Sequence, residues 1–221
     1  MFPFLLTIRR DLFYPWTLFC IPMLFSFREE PPMELKRKGE TAGLKGVDGL
    51  TVAMKWTTAV DFDLAVLYED RSGRRGLVYF GELGDLETYP FMALSEDQGS
   101  EAAEGAYEET VRISRPEEMA SVWFLCWDYE KVRNGSRYDF KTCDIVLEAA
   151  EESGDPRRVV PTPDEPGNIL VLAALTPVSP EGFVLRNDSR VGRLHGLTRI
   201  DDLFGILGGK GAAPVVGRPG M

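Results

Sequence analysis

The chain has 221 residues, 44% hydrophobic and 11% aromatic, enough to bury one sizeable core with tails to spare. Its formal charge of −10 at pH 7 excludes a phosphate grip on nucleic acid, which needs clustered Lys and Arg. That charge suits a cation binder or a partner of basic surfaces. Cys20, Cys126 and Cys143 form no CxxC pair, so neither a disulfide framework nor a zinc knuckle is indicated, and a reducing, cytoplasmic compartment is expected.

Residues 1–32 stand apart as an apolar N-terminal extension. The stretch 12–27 is rich in Phe, Leu and Trp but shorter than the roughly 20 residues of a membrane-spanning helix. Pro15 and Pro22 interrupt it, each removing a helical donor. Arg9 and Arg10 could open a signal peptide, yet Asp11 follows and no small-residue cleavage site comes after Ser26. Met33 begins Met-Glu-Leu-Lys-Arg-Lys-Gly, which reads as a natural protein start. A mis-called upstream start, a membrane-associated segment and a cleaved signal are the three readings of this extension, and contact with a membrane is expected only if it is retained.

From residue 33 the pattern changes to short runs punctuated by turn residues. The run 50–56 alternates and favours strand, 64–68 is apolar after an acidic pair, and 76–81 (GLVYFG) follows a hairpin-like Arg71-Ser72-Gly73. The run 109–114 places Val111 and Ile113 on one face. The aromatic stretch 121–129 (SVWFLCWDY) reads as a central strand. Further strands are expected at 144–149, 157–160, 169–175 and 183–186, one helical turn at 115–119 and a short amphipathic helix at 198–207. Many short strands with Gly, Pro and Asp between them predict an all-β fold, a sandwich of two antiparallel sheets with a short C-terminal helix, over residues 33–207. The Gly/Pro-rich residues 208–221 are expected to be a disordered tail.

His195 is the only histidine. It has no second His at ligand spacing, no G-x-S-x-G elbow supplies a nucleophile, and a structural role is expected. Gly208-Gly209-Lys210-Gly211 fails as a phosphate loop because Phe204 occupies the first Gly position and Gly211 that of the Ser or Thr. Asn134-Gly135-Ser136 and Asn187-Asp188-Ser189 are sequons of the kind that arise by chance. The acidic elements are more informative. Asp61-Phe62-Asp63 puts carboxylates at i and i+2, on one side of an extended chain. Residues 95–109 (SEDQGSEAAEGAYEE) carry Glu96, Asp97, Glu101, Glu104, Glu108 and Glu109 without a Lys or Arg. Calcium wants about six to eight oxygens from a loop able to wrap it. Convergence of these two elements at one end of the sandwich could supply them, the alternative being a solvated acidic loop. The D-x-D-x-D-G spacing of an EF-hand fails at Ala65.

In order and spacing these pieces resemble the TerD-like tellurium-resistance and stress-protein family. Leu35-Lys36-Arg37-Lys38-Gly39-Glu40 is similar to its "LkKGe" opening, Asp61-Phe62-Asp63-Leu64-Ala65 to its "DFDLD" element, and residues 95–109 to its "GDN…G…GDDE" loop. Asp97 and Glu108 fall at the first Asp and terminal Glu of that loop. The resemblance covers roughly residues 35–207. It implies a non-enzymatic calcium-binding β-sandwich working in stress responses with other stress-response proteins. Ala65, Ala106 and Tyr107 stand where the family carries acids, which implies a weak or degenerate calcium site. The implied ligands are Asp61, Asp63, Asp97 and Glu108, with Glu104 and Glu109 as replacements. A different class remains open: an enzyme or small-molecule binder with a pocket beside the aromatic strand of Trp123, Trp127 and Tyr129.

Overall fold

A computed structural model describes residues 33–45, 49–95, 105–152, 154–179, 182–196 and 199–208. The N-terminal extension and all of the C-terminal tail beyond Gly208 lie outside them. Strands β1 (Met33–Leu35), β2 (Thr41–Leu44), β3 (Leu50–Trp56), β4 (Asp63–Asp70), β5 (Arg75–Val78), β6 (Gly84–Asp85) and β7 (Met92–Leu94) come first. They are followed by β8 (Tyr107–Ile113), β9 (Met119–Trp127), helix α1 (Tyr129–Asn134), β10 (Val146–Glu151), β11 (Arg157–Val159), β12 (Ile169–Ser179), β13 (Gly182–Gly192) and helix α2 (Ile200–Leu207). They form the expected β-sandwich: a 7-stranded sheet in the order β1-β11-β10-β3-β8-β7-β6 and a 6-stranded sheet in the order β2-β13-β12-β9-β4-β5. Pairing is antiparallel except between β1 and β11, which run parallel.

The two sheets explain two kinds of strand sequence. In the first sheet β3 and β8 bury alternate residues, Val52, Met54, Val111 and Ile113 among them, because only their inner face meets the core. In the second sheet β4, β9 and β12 each carry an unbroken apolar run, residues 64–68, 122–127 and 169–175. Leu64, Val66, Phe124, Leu170 and Leu172 fill the space between the sheets. Ala65, Leu67, Leu125, Trp127 and Val171 form a second cluster on the outer face. There Leu203 and Leu207 of α2 cover them, each burial contributing about 1.5–3 kcal/mol. A strand buried on both faces has no reason to alternate.

Some elements depart from the sequence reading. The aromatic run ends as a strand at Trp127 rather than at residue 129, because Asp128 accepts the Lys131 N–H and caps α1. Gly135 closes that helix in the left-handed conformation, φ 66°. β8 starts earlier than the expected strand at Glu109, taking in Tyr107 and Glu108 from the acidic segment. The inward alternation of Val111 and Ile113 simply continues back through Glu109, itself 6% exposed. β1, β2, β6 and β7 are too short to show periodicity, and sequence patterning did not find them.

Outside the core, polar groups fix the ends and faces. On the outer face of the first sheet an alternating-charge network runs from Glu34 through Arg158, Glu148 and Lys55 to Glu108, with N–O distances of 3.2, 3.8, 2.7 and 3.7 Å. Each exposed pair adds only about 0.2–1 kcal/mol, but the network keeps this face solvated. Asp70 accepts from the backbone N–H and hydroxyl of Ser72 and from the N–H and guanidinium of Arg74, and so closes the β4–β5 hairpin. These bonds, the Ser72 hydroxyl foremost, hold its carboxyl well below the usual range. Asp144 accepts from the N–H and hydroxyl groups of Thr57 and Thr58 and ties β3 to the start of β10. Burial works to raise its pKa, yet the threonine hydrogen bonds outweigh it and hold the carboxyl well below normal.

Both groups have folded-state pKa values below their unfolded ones. The stability they add is therefore complete above about pH 4 and is lost as pH falls through the folded values. Thermal melts should drop progressively below about pH 4, and Asp144→Asn should destabilise clearly more at neutral pH than at about pH 2. An equal penalty at both pH values would show that Asp144 acts by packing rather than by charge.

Candidate functional site

The head of β4 is set by Phe62. Its ring is buried, 1% exposed, and lies 6.0 Å from Trp56, 5.5 Å from Tyr138 and 6.1 Å from Phe140. Trp56 stacks on Tyr107 at 5.4 Å and donates its indole N–H to the Val60 carbonyl at 2.9 Å. With Phe62 anchored inward, Asp61 and Asp63 on either side must point the other way, because side chains alternate along an extended chain. Asp63 pairs in register with Trp127, and the next residue along β9 is Asp128. Asp61, Asp63, Asp128 and Glu130 therefore line one cleft of about 350 Å³, rimmed by Phe80 and Tyr129. Those two rings meet edge to face at 5.1 Å and are 40% and 39% exposed.

Glu109 joins this end of the sandwich from the opposite sheet. Its carboxylate accepts the Leu64 N–H at 2.5 Å, linking β8 to β4 across the interior. Behind it, burial first and then the nearby Cys143, Glu109, Asp63 and Asp128 push the Cys126 thiol well up. Carboxylates from β4, β8 and the end of β9 thus all act on one buried point. Cys143 is raised too, chiefly by burial, and both thiols are free.

Of the residues singled out in the sequence, Asp61 and Asp63 share the cleft and Glu109 lies at the same end. Glu108 does not join them. As the neighbour of Glu109 on a strand it faces the other way, stands 3.7 Å from Lys55 and has a side chain 54% exposed. Asp97 and Glu104 lie outside the described residues. Asp128 and Glu130, absent from the sequence-derived set, are the additions. Their only sequence signal is a pair of acids just after the aromatic strand, opposite the acids that begin its neighbour, and that match appears only once β4 and β9 are known to pair antiparallel.

The fit to calcium is partial. Among the described residues no group of three or more His, Cys, Asp or Glu is arranged to hold a metal ion. The donors are hard oxygens of the kind calcium takes, but those described line an open cleft rather than a closed coordination shell. His195 takes no part. Its Nδ1 lies 2.6 Å from where a Cβ would sit on Gly135, so the ring packs against the C-terminus of α1. No helix among the described residues is long and apolar enough to cross a membrane.

Neither a family model nor a curated protein matches the sequence. Solved structures similar to this chain include a homologue of the telluride resistance protein TerD from Streptomyces coelicolor A3(2). It is 13% identical with a TM-score of 0.42, and the match covers 72% of this chain and 95% of that one. A protein of unknown function matches at 12% identity and a TM-score of 0.42, over 70% of this chain and 100% of the other.

Proposed function

We propose that the chain is a non-enzymatic, TerD-like stress-response protein that binds calcium weakly at the acidic end of its sandwich. The observation that carries this reading is the meeting of Asp61, Asp63 and Asp128 in one cleft, with Glu109 buried at the same end. The sequence resemblance across residues 35–207 agrees with it. Weak binding follows from ligand count and charge: Ala65, Ala106 and Tyr107 remove carboxylates, and calcium affinity falls with each one lost. Asp97 and Glu104 belong to the segment that leads into β8, and they are the proposed source of the remaining oxygens. The protein works in the cytoplasm with other stress-response proteins as partners, and its acidity turns it away from nucleic acid.

Thermal melting of the full chain tests this. At a dissociation constant of about 1 mM, about 10 mM calcium stabilises the folded state by about 1.4 kcal/mol. That corresponds to a Tm rise of about 3–6 °C for a domain of this size. Chelator should reverse the rise. Asp63→Asn and Glu109→Gln should remove it, while Glu108→Gln, on the outer face, should leave it intact. Absence of both heat and shift in millimolar calcium would sink the proposal.

A further inference from the structure

Helix α2 covers only part of the outer face of the second sheet. Beside it lies a groove of about 470 Å³, within the range of about 300–1,000 Å³ typical of small-molecule sites. Small side chains make the depression: Ser121 on β9 and Ala174 and Thr176 on β12 form its floor. Ala174 pairs with Trp123, whose ring meets Phe204 of α2 edge to face at 5.7 Å, giving the groove an aromatic wall.

The opposite wall is cationic. Arg186 and Arg190 of β13 line it, and both are held by the same carboxylate, Asp188, at 3.0 and 3.3 Å. Asp188 is 4% exposed, so the arrangement is built into the sheet rather than laid on its surface. One carboxylate cannot neutralise both guanidiniums. Arg75 of the groove pairs with Glu69 at 2.7 Å, and Asp201, on the α2 side, is paired at 2.9 Å with Arg199, which lies outside the groove. Two guanidiniums sharing one carboxylate thus stand side by side at a fixed place on a protein whose net charge is −10. Arg190 also donates to the Ile206 and Leu207 carbonyls at the end of α2. Arg186, with its side chain 26% exposed, is the arm that a ligand reaches.

We propose that this groove binds a small anion with a flat apolar body, an aromatic carboxylate in chemical class, with its carboxylate on Arg186 and its ring against Trp123 and Phe204. Guanidinium and carboxylate match in planar geometry, and the aromatic wall supplies the apolar contact. The site lies on a face of the second sheet, distinct from the acidic cleft, and does not depend on calcium.

Calorimetric titration of the full chain with 2-naphthoate and with the neutral 2-naphthamide tests it, with tryptophan fluorescence as a second readout. The acid should bind and quench, and the amide should bind about tenfold more weakly or worse, because a hydrogen bond to a charged group exceeds a neutral one by that order. Arg186→Gln should weaken naphthoate about as much. Gly205→Leu should block it. A Cβ at Gly205 meets nothing within 4 Å, so the new side chain enters the groove while the helix gains a better helix former. Equal binding of acid and amide, naphthoate binding indifferent to both substitutions, or no heat and no quenching at millimolar naphthoate would each overturn the proposal.

Discussion

Asn187→Ala should destabilise the protein by about 3 kcal/mol, because it removes the side-chain donor of the Val160 carbonyl and the acceptor of the Ser189 hydroxyl, and leaves the Leu35 carbonyl with the Val160 N–H alone. Asn187 is fully buried. Its side-chain amide donates to the Leu35 carbonyl at 3.0 Å and the Val160 carbonyl at 3.1 Å, and its oxygen accepts from the Ser189 hydroxyl. That hydroxyl accepts the Thr162 N–H at 2.8 Å. The backbone of Asn187 is engaged as well, with Gly39 and Glu40. One residue of β13 in the second sheet thus holds the ends of β1 and β11 in the first. Urea unfolding should show a lower midpoint at unchanged slope, and Tm should fall by about 6–12 °C. A loss below about 0.5 kcal/mol would mean that water replaces the amide and the two sheets do not depend on it. The sequon formed by Asn187, Asp188 and Ser189 is accounted for by the same geometry. All three side chains are buried, with Ser189 at φ 45°; Asn187 and Ser189 tie the two sheets together, and Asp188 pairs with Arg186 and Arg190.

Phe62→Ala should cost about 3–5 kcal/mol, the range for emptying a buried aromatic position. It should also act on function. The ring's contacts with Trp56, Tyr138 and Phe140 fix which way the flanking Asp61 and Asp63 point. Phe62→Leu keeps much of the volume and should cost less, about 1–2 kcal/mol. The two variants separate the roles: the leucine protein should keep a calcium-dependent rise in Tm, and the alanine protein should lose it at temperatures where it remains folded. Retention of the full calcium response in Phe62→Ala would show that the carboxylates are positioned from elsewhere.

The class of fold was legible because its signals are local. Alternation in residues 50–56 and 109–114 and the unbroken apolar runs at 64–68, 122–127 and 169–175 each reflect one-sided or two-sided burial, which hydrophobicity alone reports. The amphipathic pattern near residue 200 likewise marked α2. Residues with no such pattern were lost. β1 and β2 hold their places through partners far along the chain, β1 on β11 and β2 on β13, and three or four residues carry too little period to reveal that.

The acids of the site divide in the same way. That Asp61 and Asp63 share a side followed from their spacing in an extended segment. The alternation of Val111 and Ile113 already put Glu109 on their side of the strand and Glu108 on the other, but what each acid meets there was not legible. Only the pairing of β8 with β3, Glu109 opposite Met54 and Glu108 opposite Lys55, turned Glu109 into the buried acceptor of the Leu64 N–H and sent Glu108 into the surface charge network. Asp128 joined the cleft for a similar reason, the antiparallel register of β4 and β9. The sequence by itself thus determined which residues are apolar, which are acidic and which faces must be covered. The tertiary structure decided which acids meet, because strand register, a long-range property, sets the direction of every side chain it contains.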